Sequence, residues 1–308
     1  MAFSVLIYFV FLVLGCRGLM VASQNTDNTS FDQSYQVTWG FDHVLSSNQG
    51  REIQLSMDKS SGAGFESKLS YGSGFFNLRI KLPDRDSAGV VTAYYLTSIG
   101  DKHDELDFEF LGNREGKPYT LQTNVFANGH GNREQRTLLW FDPTADYHTY
   151  AILWNLHQIV YKEKSMYLWD FRFFVDNIPI RVFKNNTSKG VDYPSKAMKI
   201  EASLWDGDSW ATDGGRTKTD WAYAPFKARF RGFHVDGCSA QINNNNSNKV
   251  NGDCYSENNY FWNTRKYQRL DSDQRRAYEN VRKNYMNYDY CTDRSRYPTP
   301  PPECLDQP

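Results

Sequence analysis

The stretch "DKHDELDFEFLG", residues 101–112, reads carboxylate, apolar, carboxylate, apolar, carboxylate. Side chains alternate across a strand, so Leu106, Phe108 and Phe110 share one face while Glu105, Asp107 and Glu109 share the other. The aromatic face is a core face, and the acids project from the opposite surface. Stacking like charge along one strand face is unfavourable, and an ordinary wet face carries Thr, Lys or Ser there instead. The three acids therefore need a chemical reason.

Outward from this stretch the same alternation recurs. Strands are expected at 51–58, 75–82, 89–96, 105–110, 119–126 and 148–155, and again at 159–164, 170–176, 180–184, 198–205 and 227–235. So many short period-2 runs, with no helical pattern between them, indicate an all-β fold, an antiparallel β-sandwich. Aromatics make up 16% of the 308 residues, far too much ring surface for a disordered chain. The formal net charge of −1 gives no footprint for a polyanion, which argues against nucleic acid as a partner.

The ends of the chain differ from this middle. "MAFSVLIYFVFLVLG", residues 1–15, holds no charged side chain and is shorter than the ~20 residues of a membrane span. It reads as a signal peptide, residues 1–23, cleaved after Ala22 or Ser23. This is preferred to a lipoprotein site at Cys16, which "VLGC" only faintly resembles. Cys238, Cys254, Cys291 and Cys304 remain, an even number in a secreted chain. Three connectivities are open, and pairing neighbours, 238 with 254 and 291 with 304, closes the shortest loops. Zinc is disfavoured because no C-x₂-C knuckle occurs. Sequons at Asn28, Asn185, Asn186 and Asn245 fit the secretory route. The segment "LDSDQRRAYENVRKNYMNYDYC" (270–291) reads as a helix, with Asp271 and Ser272 as caps and Ala277, Tyr278, Val281 and Tyr285 as a docking stripe.

Two chemistries could use three aligned carboxylates. A flat strand cannot wrap six or more oxygens around a divalent cation, and "DGDSWATDGGRT" (206–217) has Thr217 where a calcium loop needs a bidentate Glu. No metal is expected. Retaining glycoside hydrolysis needs an ionised nucleophile and a protonated acid ~5–5.5 Å apart. Glu105 and Glu109 have Cα atoms about 13 Å apart along a strand, so their long side chains must lean over the shorter Asp107. Like-charge proximity then raises one pKa and supplies the protonated acid.

At this point "HDELDFEFLG" resembles the signature of the plant xyloglucan endotransglucosylase/hydrolase family, a branch of the retaining β-glucanases of glycoside hydrolase family 16 type. "SAGVVTAYYLTS" (87–98), "LQTNVFANGHGNREQR" (121–136), "SLWDGDSWATDGGRTKTDWAYAPF" (203–226) and "YCTDRSRYP" (290–298) extend the resemblance over nearly the whole mature chain. It implies a concanavalin-like jelly roll over 24–226 and a short disulfide-bonded C-terminal extension with a helix over 227–308. It implies Glu105 as nucleophile, Glu109 as acid/base and Asp107 as their helper. Gln122 and Asn124 on the next strand, Asn132, Arg133, Glu134, Ser209, Trp210, Gly214 and Arg296 fall at glucan-contacting positions. Trp205 and Trp210 suit stacking on pyranose faces, whereas Trp154 and Trp169 read as core. His103 reads as a hydrogen-bonded strand-end residue.

Two departures stand out. Glu115 in "GNREG" replaces the hydroxyl residue of a sequon common in the family, and Ser209 stands where Asp is usual. The expected activity is transfer of a β-1,4-glucan backbone, xyloglucan, to another glucan end, with hydrolysis minor. Action on cellulose or another β-glucan, or glucan binding without catalysis, are the alternatives. The expected partners are donor and acceptor glucans, with no cofactor, no nucleic acid, no membrane after leader cleavage and a monomeric chain. The expected location is the cell wall or apoplast.

Overall fold

The computed structural model describes residues 28–155, 170–240, 250 and 252–306. The leader, Asn245, Trp169 and the strand expected at 159–164 lie outside these residues. The first strands are β1 (Tyr35–Trp39), β2 (Val44–Ser47), β3 (Glu52–Met57), β4 (Ala63–Ser67), β5 (Ser70–Lys81), β6 (Val90–Thr97), β7 (Glu105–Leu111) and β8 (Thr120–Phe126). They are followed by β9 (Gln135–Leu138), β10 (His148–Trp154), β11 (Asp170–Val175), β12 (Ile178–Lys184), β13 (Lys199–Asp206), β14 (Phe226–Arg231), β15 (Asp236–Ala240) and β16 (Met286–Asp289). One sheet has the order β1-β4-β13-β6-β7-β8-β9-β16; the other runs β12-β11-β10-β5-β14-β3-β2, with β15 also on β5. All the pairings are antiparallel, as the alternating pattern requires.

The core lies between the sheets. Leu106, Phe108 and Phe110 are fully buried. Phe108 meets Phe173 edge-on at 4.9 Å and Phe110 meets Tyr150 at 4.5 Å, each across from one sheet to the other. Trp154 is fully buried, with its indole N–H donating to Pro194 O. The acids of β7 therefore emerge on the outer face of the first sheet.

Chain beyond residue 226 contributes to both sheets. The strand expected at 227–235 is instead two: β14 ends at Arg231, and β15 restarts at Asp236 to pair with β5. Disulfides join Cys238 to Cys254 and Cys291 to Cys304, the neighbour pairing expected above. Among the described residues the helix α2 (Ser272–Asn284) is the second of two, after the short α1 (Phe31–Ser34). A capping box begins α2: the Asp271 carboxylate accepts from the Asp273 and Gln274 N–H groups, and Gln274 reaches back to the Asp271 N–H. Tyr278 and Val281 are its buried side chains. The helix stops sooner than the sequence predicted, because residues 286–289 pair with the open edge of β9 as β16. The Leu138 N–H donates to Tyr285 O at that junction.

Candidate active site

The register of the first sheet lines the outer face into rows. Asp107 pairs with Tyr95 on β6 and Asn124 on β8, and the row continues through Glu201 on β13 to Glu66 on β4. Glu109 pairs with Ala93 and Gln122, and its row runs on to Ser203 and Gly64 on one side and Arg136 on the other. Glu105 pairs with Thr97 and Phe126. Gln122 and Asn124 thus stand beside Glu109 and Asp107, as the alternation requires.

The three acids do not share one environment. Asp107 is buried and hydrogen-bonded to Glu105. Burial, then the charges of Glu105 and Glu109, hold its carboxyl well above the usual range, against a smaller opposing pull from the Arg181 guanidinium. Asp107 therefore keeps its proton more readily than an ordinary carboxyl, within hydrogen-bond reach of Glu105. Burial also raises Glu109, with Glu105 and Glu134 adding to the effect, while Gln122 and Arg136 oppose it. Gln122 Nε2 donates to Glu109 Oε2 at 2.6 Å, and Gln122 Oε1 accepts from Arg136 Nε at 2.7 Å. A cation is thus relayed through a neutral amide to Glu109.

Asn124 Oδ1 accepts from its neighbour Val125 N (2.9 Å) and from Arg133 N (3.0 Å), so its amide N–H groups are what it can offer outward. The Arg133 guanidinium turns away from the row: its Nε donates to Glu303 Oε1 at 2.7 Å and its Nη1 to His130 O. Arg296 donates to Glu134 Oε2 (2.7 Å) and Asn132 Oδ1 (2.5 Å), tying the extension to the loop before β9. Asn132 takes the left-handed conformation that this bend requires, with φ +65. Trp205 and Trp210 lie 6.0 Å apart over Val91, Leu111 and Ala211. Ser209 and Gly214 are exposed in the loop after β13. His103 sits at the strand entrance, 3.9 Å from Glu105 Oε1 and against the Phe126 ring.

Residues not singled out from sequence complete the site. Arg136 is the same-face residue two after Glu134, a period-2 signal that only pairing with β8 makes meaningful. Arg181 on β12 is fully buried and donates to Thr123 O, Thr123 Oγ1 and Arg133 O behind the acids. Asp104, buried ahead of Glu105, accepts from the N–H groups of Asn128, Ser195 and Lys196 at 2.7–2.8 Å. Among the described residues no group of three or more His, Cys, Asp or Glu is arranged to hold a metal ion.

A profile described as "Glycosyl hydrolases family 16" matches residues 31–223, and one described as "Xyloglucan endo-transglycosylase (XET) C-terminus" matches 256–304. Xyloglucan endotransglucosylase/hydrolase protein 2 of Arabidopsis thaliana is 60% identical over 274 residues, covering 89% of this chain and 88% of its own. Xyloglucan endotransglucosylase protein 2 of Diospyros kaki is 52% identical, with coverages of 89% and 87%. Among solved structures, a Bacillus licheniformis β-glucanase superposes with TM-score 0.50 at 23% identity, covering 67% of this chain and 93% of its own. The Crh5 transglycosylase superposes with TM-score 0.52 at 23% identity, with coverages of 69% and 81%. These two likenesses share the fold. The acid-bearing strand, the sandwich that carries it and the disulfide-closed extension therefore have one family setting, and the chain belongs to the xyloglucan endotransglucosylase/hydrolase family within glycosyl hydrolases family 16.

Proposed function

We propose that the chain is a secreted, cell-wall enzyme that cuts the β-1,4-glucan backbone of xyloglucan with retention and transfers it to a second glucan end. The observation that carries this reading is the unequal treatment of the three acids. Asp107 is buried, proton-holding and bonded to Glu105, while Glu109 is held through Gln122 by Arg136.

The anionic Glu105 attacks the anomeric carbon as the glycosidic C–O bond breaks, and Glu109 gives its proton to the leaving oxygen. A glycosyl ester at Glu105 results. Glu109, now ionised, takes the proton of an incoming hydroxyl, which displaces Glu105 and restores the starting state. If the hydroxyl belongs to a bound sugar, its effective molarity of ~10⁵ M or more lets it outcompete water. Asn124 and the Asn132–Glu134 loop, braced by Arg296, are the proposed sugar contacts, with Trp205 and Trp210 as stacking surfaces. Arg133 serves the same loop from behind. The chain acts as a monomer, and the relatives' names supply the substrate.

Polymer size and new reducing ends are followed with xyloglucan plus a labelled xyloglucan oligosaccharide. Label entering polymer with few new reducing ends is the expected result. Rising reducing ends with little label uptake would make the chain a hydrolase. Label uptake only with cellulose or mixed-linkage glucan would overturn the substrate, and binding without turnover would overturn catalysis.

A further inference from the structure

Glu201 lies two strands from Asp107 in the same register row, with Tyr95 between them. Its neighbours Ile200, Ala202 and Leu204 fill the core, so Glu201 stands on the outer face with the catalytic acids. The Tyr95 hydroxyl donates to Glu201 Oε2 at 2.8 Å. Glu201 Oε1 has no partner among the described residues. Lys199, the near cation on the same strand, gives its ammonium to Glu66 at 2.5 Å instead. Glu201 is half-buried on this face, and that oxygen can accept from a bound hydroxyl.

The surrounding relief suits a polymer laid across the strands. The row beside it carries only the small Ala93 and Ser203 between Glu109 and β4, where the Trp39 ring covers Gly64. Neighbouring strands are ~4.8 Å apart, close to the advance of one residue of an extended β-1,4-glucan. A chain cleaved over β7 therefore places a sugar over β13 two residues from the broken bond.

We propose that Glu201, oriented by Tyr95, is a specificity-determining residue that accepts hydrogen bonds from the hydroxyls of the glucosyl residue two places from the cleaved bond. This rests on the retaining reading above, but not on xyloglucan being the substrate. Tyr95 is a positioning residue: its hydroxyl fixes which carboxylate oxygen faces the sugar.

The test measures kcat and KM for donor and acceptor separately in Glu201→Ala, Glu201→Gln and Tyr95→Phe. The substrate is whichever of xyloglucan, mixed-linkage glucan and carboxymethyl cellulose the unaltered enzyme turns over. An idle xyloglucan assay would thus count against the substrate assignment and leave the Glu201 comparison to be made on another glucan. Losing a charge-assisted hydrogen bond raises the KM of one of the two glucans about tenfold in Glu201→Ala. kcat stays within about twofold, because the contact is equal in ground and transition states. Glu201→Gln, which keeps an acceptor oxygen, recovers part of that affinity, and Tyr95→Phe raises the same KM by less. If neither KM moves, or kcat falls while both hold, Glu201 acts on the acids' charges and the assignment is wrong. Should Glu201→Ala not fold, the Gln and Phe variants decide in the same way.

Discussion

Gln122 joins a carboxyl and a guanidinium with one amide, and its replacement separates their contributions. In Gln122→Leu, Glu109 loses a hydrogen bond that favours its ionised form. Glu109 then keeps its proton to higher pH, so the alkaline limb of kcat/KM should move upward while kcat falls. The limb reports the carboxylate set as a whole; a downward or absent shift would mean Gln122 does not tune it. Asp107→Asn should lower kcat by roughly 10²–10⁴ and raise melting temperature at pH 7. The sign follows from linkage: the folded state holds a proton on Asp107 above its ordinary value of 3.8. Stability therefore falls as pH rises from there through the raised folded value, and the deficit persists above it. The gain in the variant should shrink toward pH 4, which a series of melts would check.

Pairing decides which of these side chains meet, and that is where the sequence becomes hard to read. β7 was legible because three aromatic or aliphatic residues alternate with three acids and nothing else fits that pattern. Gln122 and Asn124 followed, being on the adjacent run with the same period. β1, β2, β4 and β9 were not legible, because they are four or five residues long and give too few alternations. Arg181 and Glu303 were hidden for a different reason: each comes from a remote element and meets the site only through tertiary packing. The start of α2 was readable from its cap, so Asp271→Ala should cost about 1 kcal/mol by thermal melting. Its end was not, since a free sheet edge outcompetes the last helical turn. After β12, Asn186 is buried, whereas Asn185 is partly exposed, with its amide oxygen accepting from the Thr187 hydroxyl at 2.9 Å. Peptide mapping of secreted protein should find glycan on Asn185 and not on Asn186.

Across the whole molecule, the extension grips the catalytic sheet through β16 on β9, with Arg296 beside it on Asn132 and Glu134, and a second time through Glu303 on Arg133. The second grip is a buried ion pair, with side-chain exposures of 11% and 7%. Glu303→Ala leaves a guanidinium without its counter-charge and should cost about 3–5 kcal/mol in urea unfolding. Glu303→Gln, which keeps an acceptor, should cost less. An equal loss in both would show that charge, not the hydrogen bond, is what holds. The same pair limits how such proteins can recombine. The two family matches cover separate stretches, 31–223 and 256–304, and residue 133 lies in the first while residue 303 lies in the second. A crossover between them that swaps extensions brings together two ancestries at this ion pair, and a hybrid whose parents disagree there should carry the stability cost given above. In hereditary terms the two segments travel as one.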